Sequence, residues 1–318
     1  MINVHDEVVA AEARIRPYVR QTPLEYAFGL SEAAQGQVYL KLENLQATGS
    51  FKLRGALNKL LALDAAQRDK GIIAASTGNH GLAVAHALST LEMHGSIYLP
   101  ENASPQKIAM LRRYDADLTF HGLDAVEAER EARRVSEAEG RVYVSPYNDA
   151  HVIGGQGTVG VELLRQTAEI DSVLVSVGGG GFIAGLAGYL KAVRPGVEVI
   201  GCLPKNSPVM CESIRAGHVI DMPSLPTLSD GTAGGIVADA ITFALCQRYV
   251  DGWVLVDETA IGQAMKYLFE QHRLVVEGSA GVTVASFLQI KNRLAGKTVA
   301  LILCGGNVDI DKFKKLIC

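Results

Sequence analysis

The sequence predicts an α/β protein made of two open, mainly parallel α/β domains, the smaller inserted in the larger. Its 318 residues, 48% of them hydrophobic, are enough for two domains of ordinary size. Short strands and helices alternate regularly over residues 72–145, and longer ones alternate again over residues 154–303. Because right-handed crossovers wind such an alternation into a parallel sheet, each block predicts a sheet of its own.

The first block is the candidate smaller domain, at residues 71–145. An amphipathic helix at residues 5–16 and a short strand at residues 38–42 precede it. Within the block we expect four strands (72–76, 96–99, 117–120, 142–145) and three helices (80–91, 105–114, 125–138). As a compact insertion, it leaves residues 1–70 and 146–318 to form the larger domain.

The second block has longer, continuously apolar strands, which are typical of a parallel sheet buried on both faces. The expected strands are 173–177, 197–203, 253–256 and 298–303, and the expected helices are 182–193, 209–216, 258–272 and 280–294. Residues 204–236 are rich in Pro, Gly and Ser and, apart from one helix, predict a loop.

The composition argues against several classes of partner. With a net charge of -4 and a pI near 6.1, the chain has no broad excess of positive charge for nucleic acid or an anionic membrane. It has no apolar signal core at its start and no stretch long enough to span a bilayer. A small-molecule ligand is therefore expected.

The cysteines are scattered and include no closely spaced pair, so the sequence predicts neither a disulfide framework nor a zinc site. The five are Cys202, Cys211, Cys246, Cys304 and Cys318. This pattern fits a reducing compartment, and we expect a cytoplasmic protein.

The motif GSFKLRGA (residues 49–56) places a lysine at the start of a helix. Gly49 and Ser50 predict a turn, with Ser50 as the N-cap of a helix that begins near Phe51. Lys52 then lies in the first turn, where the helix dipole and partial burial lower the pKa of its amine and make it a better nucleophile. For this motif alone, a solvent-exposed lysine is the alternative interpretation.

A glycine run in SVGGGGFIAG (residues 176–185) joins a buried strand to a helix, an arrangement that favours phosphate binding. Gly179, Gly181 and Ala184 fit the dinucleotide pattern, but Leu203 stands where that pattern expects an acid for the ribose. No Lys-Ser/Thr pair follows, so a P-loop is unsupported. A phosphate held without a ribose remains, with a simple tight turn as the alternative.

Two further motifs follow predicted strands. In ASTGNHG (residues 75–81), Ser76, Thr77 and Asn79 are candidates to bind a carboxylate or a ring hydroxyl at a helix start. The alternatives are that Ser76 or Thr77 only caps the helix and that His80 is packed. In LILCGGNVD (residues 301–309), Cys304 ends a buried strand, where it faces a ligand crevice or is a small buried hydrophobe.

The motifs GSFKLRGA, ASTGNHG, VGGGGFIAG and LCGGN, in this order, resemble those of the fold type II pyridoxal-phosphate enzymes of the threonine/serine dehydratase and serine racemase family. The similarity extends over essentially the whole chain. The resemblance implies the cofactor pyridoxal 5'-phosphate, bonded covalently to Lys52 as the catalytic residue. The other cofactor-binding residues that it implies are Phe51 against the ring, Asn79 at the ring hydroxyl, Gly178, Gly179, Gly180 and Gly181 at the phosphate, and Cys304 at the pyridine nitrogen.

The resemblance also implies a substrate and a reaction. The implied substrate-binding residues are Ser76, Thr77, Gly78, Asn79 and His80, in the loop that receives the substrate carboxylate, and Gly231 near the reactive carbon. The expected reaction is elimination of water from a β-hydroxy amino acid such as L-threonine or L-serine, giving a 2-oxo acid and ammonia. By analogy with the family, we expect a homodimer.

Three positions differ from those of some relatives. Thr77 stands where relatives that racemise serine carry a serine, and Leu203 and Val209 stand where cation-activated relatives carry acids, so no metal site is expected. Serine racemisation remains an alternative, as does dehydration of a larger substrate: a hydroxyaspartate, a phenylserine or a hydroxyectoine-derived amino acid. A nucleotide-binding oxidoreductase, in which Lys52 has no chemical role, is the alternative from another class.

Overall fold

The structure, a computed structural model, describes residues 2–317, with the side chain of Ile317 excepted. Cys318 lies outside the described residues. The strands are β1 Leu24–Tyr26, β2 Gln37–Lys41, β3 Ile72–Ala75, β4 Gly95–Leu99, β5 Asp117–Phe120, β6 Val142–Tyr143, β7 Ser172–Ser176, β8 Glu198–Pro204, β9 Gly252–Val256 and β10 Thr298–Ile302. The helices are α1 Val4–Ile15, α2 Phe28–Ala34, α3 Lys52–Leu61, α4 Ala65–Asp69, α5 Asn79–Thr90, α6 Pro105–Arg112, α7 Ala125–Glu139, α8 Ala150–Gln166, α9 Gly181–Val193, α10 Val209–Ala216, α11 Ile241–Tyr249, α12 Glu258–His272, α13 Gly278–Ile290 and α14 Ile310–Ile317.

The larger sheet has six strands in the order β1-β2-β10-β7-β8-β9, and only the pairing of β1 with β2 is antiparallel. In its middle, Leu301 of β10 pairs with Leu40 of β2 on one side and Leu174 of β7 on the other. All three leucines are fully buried, because helices cover both faces of the sheet. The sheet thus combines strands from both ends of the chain.

The smaller sheet has four parallel strands in the order β5-β4-β3-β6, and all of them lie between β2 and β7 in the sequence. The α/β fold class, with two mainly parallel sheets, is therefore confirmed. Most predicted strands and helices agree with the structure to within one or two residues at each end. Within the described residues, no helix is long and apolar enough to cross a membrane.

Helix α3 connects the two sheets through its packing. Its residues Leu53, Leu57 and Leu60 share a buried apolar core with Ile72 of β3 and Val84 of α5. The same helix packs along α8, which lies against the larger sheet's helices α1 and α9. Lys52 is the first residue of α3, so it stands where the two parts of the molecule meet.

The sequence pattern does not predict α8, which is rich in glycine, a residue that disfavours helices. The structure shows why glycine is present. A Cβ on Gly155 would lie 2.5 Å from the Arg54 carbonyl oxygen, and one on Gly157 would lie 2.3 Å from a methyl of Val8. Close helix packing, rather than intrinsic propensity, therefore stabilises α8.

A buried ionic cluster lies where α3, α8 and β2 meet. Arg54 bonds Glu43 through Nε and Glu162 through Nη1, both at 2.8 Å, and Lys41 Nζ bonds Glu162 at 2.6 Å. All four side chains are fully buried. Although burial alone would raise the pKa of Glu162, Arg54 and Lys41 outweigh it and lower that pKa to about 2. The Glu162 carboxylate is thus ionised and paired.

Candidate functional site

Backbone contacts join the lysine motif to the turn after β10. The Phe51 N–H donates to the Cys304 carbonyl at 3.1 Å. Beside this bond, Ser50 and Gly305 form an isolated antiparallel bridge. Two motifs from opposite ends of the chain therefore form one wall of the site, which brings Lys52 towards the carboxyl end of β10.

The amine of Lys52 lies next to these backbone contacts. Its Nζ donates to the Pro146 carbonyl at 2.8 Å. Desolvation by burial lowers the pKa of the amine from 10.5 to about 8, although Cys304 and Glu277 oppose this shift. About a tenth of such amines are neutral at pH 7, compared with roughly one in three thousand at the usual pKa. Because a neutral amine is a nucleophile and a base, Lys52 is activated.

The predicted N-cap of α3 is wrong. Phe51 is the N-cap residue, and no side chain caps this helix start within the described chain. Ser50 is instead buried in the bridge with Gly305, and its Oγ has no partner among residues 2–317. Pairing with Gly305 holds Ser50 in an extended strand-like contact, so this bridge, rather than a cap, orients the start of α3.

Phe51 lies beside the glycine loop. Its ring stacks on that of Phe182, with the centroids 4.1 Å apart and the planes 14° from parallel. The Lys52 Nζ is 5.3 Å from the Phe51 ring centroid. Because Phe182 follows the glycine run directly, this stacking places the lysine motif and the glycine loop in one site.

The glycine loop connects β7 to α9 and tolerates few side chains. Gly180 has a φ of 83° in the left-handed region, and a Cβ there would lie 2.7 Å from Met210 Cε. A Cβ on Gly179 would lie 2.4 Å from the ring of Tyr147. Gly180 is also the N-cap of α9, and no described side chain caps that helix. Its first amides are consequently available to an anion.

The loop after β3 leads into α5, which begins at Asn79. Ser76, Thr77 and Gly78 are half-buried, and the Gly78 N–H donates to Ser76 Oγ at 3.1 Å. The N-cap residue is Gly78, and no described side chain caps the helix. The alternative that Ser76 or Thr77 serves as the cap is therefore wrong, and the helix start remains open to a ligand.

His80 is packed rather than exposed in this loop. It is 4% exposed, and its Nε2 lies 2.8 Å from the Val144 carbonyl oxygen. Burial, helped by the nearby charge of Lys52, lowers the pKa of His80 to about 3. The ring is thus neutral at physiological pH, as the packed alternative expects.

Glu277 is a buried acid of the site that the sequence patterns missed. It lies at the start of α13 and is 5% exposed. The Asn79 Nδ2 is 2.9 Å from each of its carboxylate oxygens, and Cys304 Sγ is 3.9 Å from Oε1. Desolvation raises the pKa of Glu277 to about 7, although the Asn79 hydrogen bond opposes this shift. An acidic residue set between apolar VV and a glycine, three residues before a predicted helix, was the available signal.

The contacts of Asn79 and Cys304 extend on either side of Glu277. Ser176 Oγ, at the end of β7, donates to Cys304 Sγ at 3.3 Å. Asn307 Nδ2 donates to Asn79 Oδ1 at 2.7 Å and to the Thr48 carbonyl at 2.8 Å. Burial raises the pKa of the Cys304 thiol, which therefore stays protonated and neutral.

A cavity of about 190 Å³ lies next to this network. Thr48, Gly49 and Asn307 line it from the side of the larger sheet. The residues that face them come from α5, α6 and the residues after it: Leu82, Met110, Arg113 and Tyr114. Since Asn307 also bonds Asn79, the cavity adjoins the site.

The structure thus brings together Lys52, Asn79 and Cys304 around Glu277. Gly231 is also adjacent, because a Cβ on it would lie 3.3 Å from a Glu277 oxygen. The remaining predicted site residues occupy the two helix starts described above. Leu203 and Val209 are buried, and among residues 2–317 no group of three or more His, Cys, Asp or Glu side chains could hold a metal ion. That no metal is needed stays a prediction.

Comparisons with known proteins agree on one family. The family model described as "Pyridoxal-phosphate dependent enzyme" matches residues 15–305. An L-threonine ammonia-lyase of Thermotoga maritima is 40% identical, with 100% of this chain and 78% of that protein covered. The catabolic L-threonine dehydratase of Escherichia coli is 34% identical, with coverages of 98% and 95%.

Two solved structures share the whole fold. Maize serine racemase has a TM-score of 0.92 at 34% identity, with 98% of this chain and 95% of that chain covered. The processed form of threonine deaminase isoform 2 from Solanum lycopersicum has a TM-score of 0.94 at 34% identity, with coverages of 98% and 92%. Because these matches extend over nearly the whole chain, the protein belongs to the family of pyridoxal-phosphate dependent enzymes.

Proposed function

We propose that the protein is a dehydratase, or ammonia-lyase, that eliminates water from a β-hydroxy amino acid such as L-threonine or L-serine. The products are a 2-oxo acid and ammonia. The single observation that carries this proposal is the desolvated amine of Lys52, in the motif that contacts both Phe182 after the glycine run and the Cys304 backbone. The names of the threonine ammonia-lyase and dehydratase relatives support the same reaction. Family membership leaves no support for the oxidoreductase alternative.

The residues present fit pyridoxal 5'-phosphate. An activated amine is available for its aldehyde at Lys52, and the uncapped start of α9 suits its phosphate. Beside Gly180, Thr242 Oγ1 is buried without a hydrogen-bond partner among the described residues, as expected where a polar ligand completes the site. We assign the ring hydroxyl to Asn79 and the pyridine nitrogen to Cys304.

When bound, the cofactor supplies an electron sink that makes the Cα proton of the substrate acidic. The chain contributes a base and substrate contacts. Lys52, with its lowered pKa, accepts the Cα proton, and the half-buried hydroxyls and amides of residues 76–79 hold the substrate carboxylate at the start of α5. The neutral Cys304 thiol places no charge at the pyridine nitrogen, which favours prompt loss of the β-hydroxyl over transamination.

The test of the proposal is Lys52→Ala. We expect the wild type to form 2-oxo acid from L-threonine or L-serine, and its visible absorbance to vanish on borohydride reduction with a label on Lys52. Lys52→Ala should lose 2-oxo acid formation. As a control, Lys59→Ala on the same helix, which removes a salt bridge to Asp149, should retain it. Activity that survives in Lys52→Ala would contradict the assigned role.

Racemisation is a second candidate, since maize serine racemase shares the fold at 34% identity. It needs a second base, and Thr77 offers a hydroxyl with an added methyl group. Incubating the protein with L-serine and measuring both 2-oxo acid and D-serine separates the two reactions. Testing threo-hydroxyaspartate in the same panel addresses larger substrates, and D-serine addresses the choice of enantiomer. Activity in EDTA tests the expectation that no metal is needed.

We further propose that residues 71–145 form a small mobile domain and that residues 1–70 and 146–318 form the larger one. The four strands of the smaller sheet lie in the first range, and those of the larger sheet lie outside it. If the small domain moves towards the larger one when substrate binds, small-angle scattering curves should differ with and without an amino-acid ligand. Identical curves would count against this movement.

A homodimer in the cytoplasm is proposed as the working state. The open apolar groove lined by Ile2, Ile241, Ala244 and Leu245 supports a contact between two copies. The described cysteines are unpaired and buried, which supports a reducing compartment such as the cytoplasm. Sedimentation of wild type and Ile241→Lys tests the dimer, because a charge in the groove should favour the monomer. Cell fractionation tests the location.

A further inference from the structure

Glu277 is placed as an N-cap residue but does not cap its helix. Its carbonyl accepts the Ala280 and Gly281 N–H groups at the start of α13, while its side chain makes no capping hydrogen bond. An aspartate at this position usually turns its side chain back to the helix amides. Here the carboxylate instead points to Asn79. The backbone N–H of Glu277 donates to the Gly305 carbonyl at 3.1 Å.

The contacts of Glu277 determine the orientation of the Asn79 amide. Asn79 Oδ1 accepts from Asn307 Nδ2 at 2.7 Å, while Asn79 Nδ2 donates to the Glu277 carboxylate at 2.9 Å. A reversed amide would place oxygen against the carboxylate and two NH₂ groups against each other. Both contacts would be repulsive, so Glu277 and Asn307 together hold the nitrogen of Asn79 on the side of Glu277.

The second partner of Glu277 is the thiol at the end of β10. Ser176 donates to Cys304 Sγ, and the thiol in turn lies 3.9 Å from Glu277 Oε1, so it is a weak donor to the carboxylate. Glu277 is thus the acceptor common to the two side chains that we assign to the cofactor ring. A Cβ on Gly305 would lie 2.8 Å from the carboxylate, which shows that the group is packed in place.

We propose that Glu277 is a positioning residue of the cofactor site, which fixes the donor direction of Asn79 and the hydrogen of the Cys304 thiol. The proposal rests on the proposed function in assigning these two side chains to the cofactor. The charged and titratable groups around the carboxylate are Lys52 of α3, Asp230 of the 3₁₀ helix Asp230–Thr232, and Cys304. Glu277 acts through its neighbours and not on the substrate.

The test uses the holoenzyme with Glu277→Gln, Asn79→Ala and the double variant. Glu277→Gln keeps the size of the side chain and one acceptor oxygen but removes the charge. We expect borohydride still to label Lys52, the visible absorption maximum to shift, and any titration of the spectrum near pH 7 to disappear. We also expect kcat for 2-oxo acid formation to fall by about 10- to 100-fold, the range for a lost hydrogen bond to a charged group. Glu137→Gln, at an exposed position of α7, is the control and should change none of these.

The double variant separates positioning from a purely structural effect. Because Glu277 acts partly through Asn79, Glu277→Gln should lower kcat less in the Asn79→Ala background than in the wild type. Losses that multiply, or a Glu277→Gln spectrum identical to that of wild type at every pH, would overturn the inference. A wild type that forms no 2-oxo acid would refute the proposed function, while the spectra would still report on Glu277.

Discussion

At the scale of single residues, His80 shows how burial changes the chemistry of a group beside the site. Its imidazole is buried and stays neutral, because burial and the charge of Lys52 both disfavour the protonated form. Its usual pKa of 6.5 applies to the unfolded chain, whereas its pKa in the folded chain is about 3. Folded and unfolded chains therefore bind different numbers of protons in mild acid.

This difference predicts acid sensitivity. Above pH 6.5 His80 is neutral in both states and has no effect. As the pH falls from 6.5 towards 3, only the unfolded chain takes up the proton, so the free energy of unfolding decreases by about 1.4 kcal/mol per pH unit. Urea unfolding of wild type and His80→Gln at pH 7, 6, 5 and 4 isolates this contribution. The wild type should lose about 3 kcal/mol more than the variant by pH 4, and parallel curves would contradict the argument.

Gly180 is the second residue whose surroundings make a clear prediction. Alanine there would adopt a left-handed φ and meet Met210 Cε and Cys246 Sγ. We expect Gly180→Ala to lower the free energy of unfolding by about 1–3 kcal/mol and to weaken cofactor binding. Gly196→Ala is the matched control, since no atom lies within 4 Å of its added Cβ. Equal effects of the two substitutions on cofactor affinity would argue against a role for the loop conformation.

At the scale of secondary-structure elements, α3 is tied to α8 by charge as well as by packing, and by charge to the segment that follows β2. Arg54 follows Lys52 by two residues and bonds both Glu43 and Glu162 in the buried cluster. Removing Arg54 takes away the ion-pair partner of the buried Glu43 and one partner of Glu162, which is far more costly than losing an exposed pair. The ionic cluster therefore holds the helix that begins at Lys52.

We expect Arg54→Met to lower the free energy of unfolding by about 3–5 kcal/mol. Arg134→Met is the control, because Arg134 pairs with Glu131 but is 65% exposed, and its loss should leave the free energy of unfolding nearly unchanged. Urea unfolding at neutral pH measures both. If Arg54→Met were as stable as the control, the buried ion pairs of Arg54 would not stabilise the fold.

At the scale of the whole molecule, the cofactor site joins segments that only the folded chain brings together. Lys52, the glycine loop and the turn after β10 are separated widely in sequence, so an unfolded chain offers no comparable site. A ligand that binds only the folded state stabilises it by mass action.

We therefore expect added pyridoxal 5'-phosphate to stabilise the protein. At a concentration 100 times its Kd, it should raise the free energy of unfolding by about 2.7 kcal/mol. Lys52→Ala should show a smaller increase at the same concentration, because it lacks the covalent bond. Thermal unfolding of cofactor-free protein with and without the cofactor measures this. The idea fails if the two proteins respond equally.

Much of the fold could be predicted because its signals are local. The apolar strands, the βα alternation and the four motifs around Lys52, Ser76, Gly178 and Cys304 repeat patterns that backbone geometry imposes on neighbouring residues. By the same reasoning, the helix α8 was missed, since its glycines oppose helix formation locally and are explained only by the helices that pack on them.

The sequence by itself determined the two-sheet α/β class and the likeness to pyridoxal-phosphate enzymes, and it supplied the residues that we propose for the cofactor site. Only the tertiary structure showed that Ser50 pairs with Gly305 and that buried His80 contacts the Val144 carbonyl. It also showed that Glu277 lies between Asn79 and Cys304. The reason is physical. Secondary structure depends on contacts within a few residues, whereas the burial and pKa of a side chain depend on segments that meet only when the chain folds.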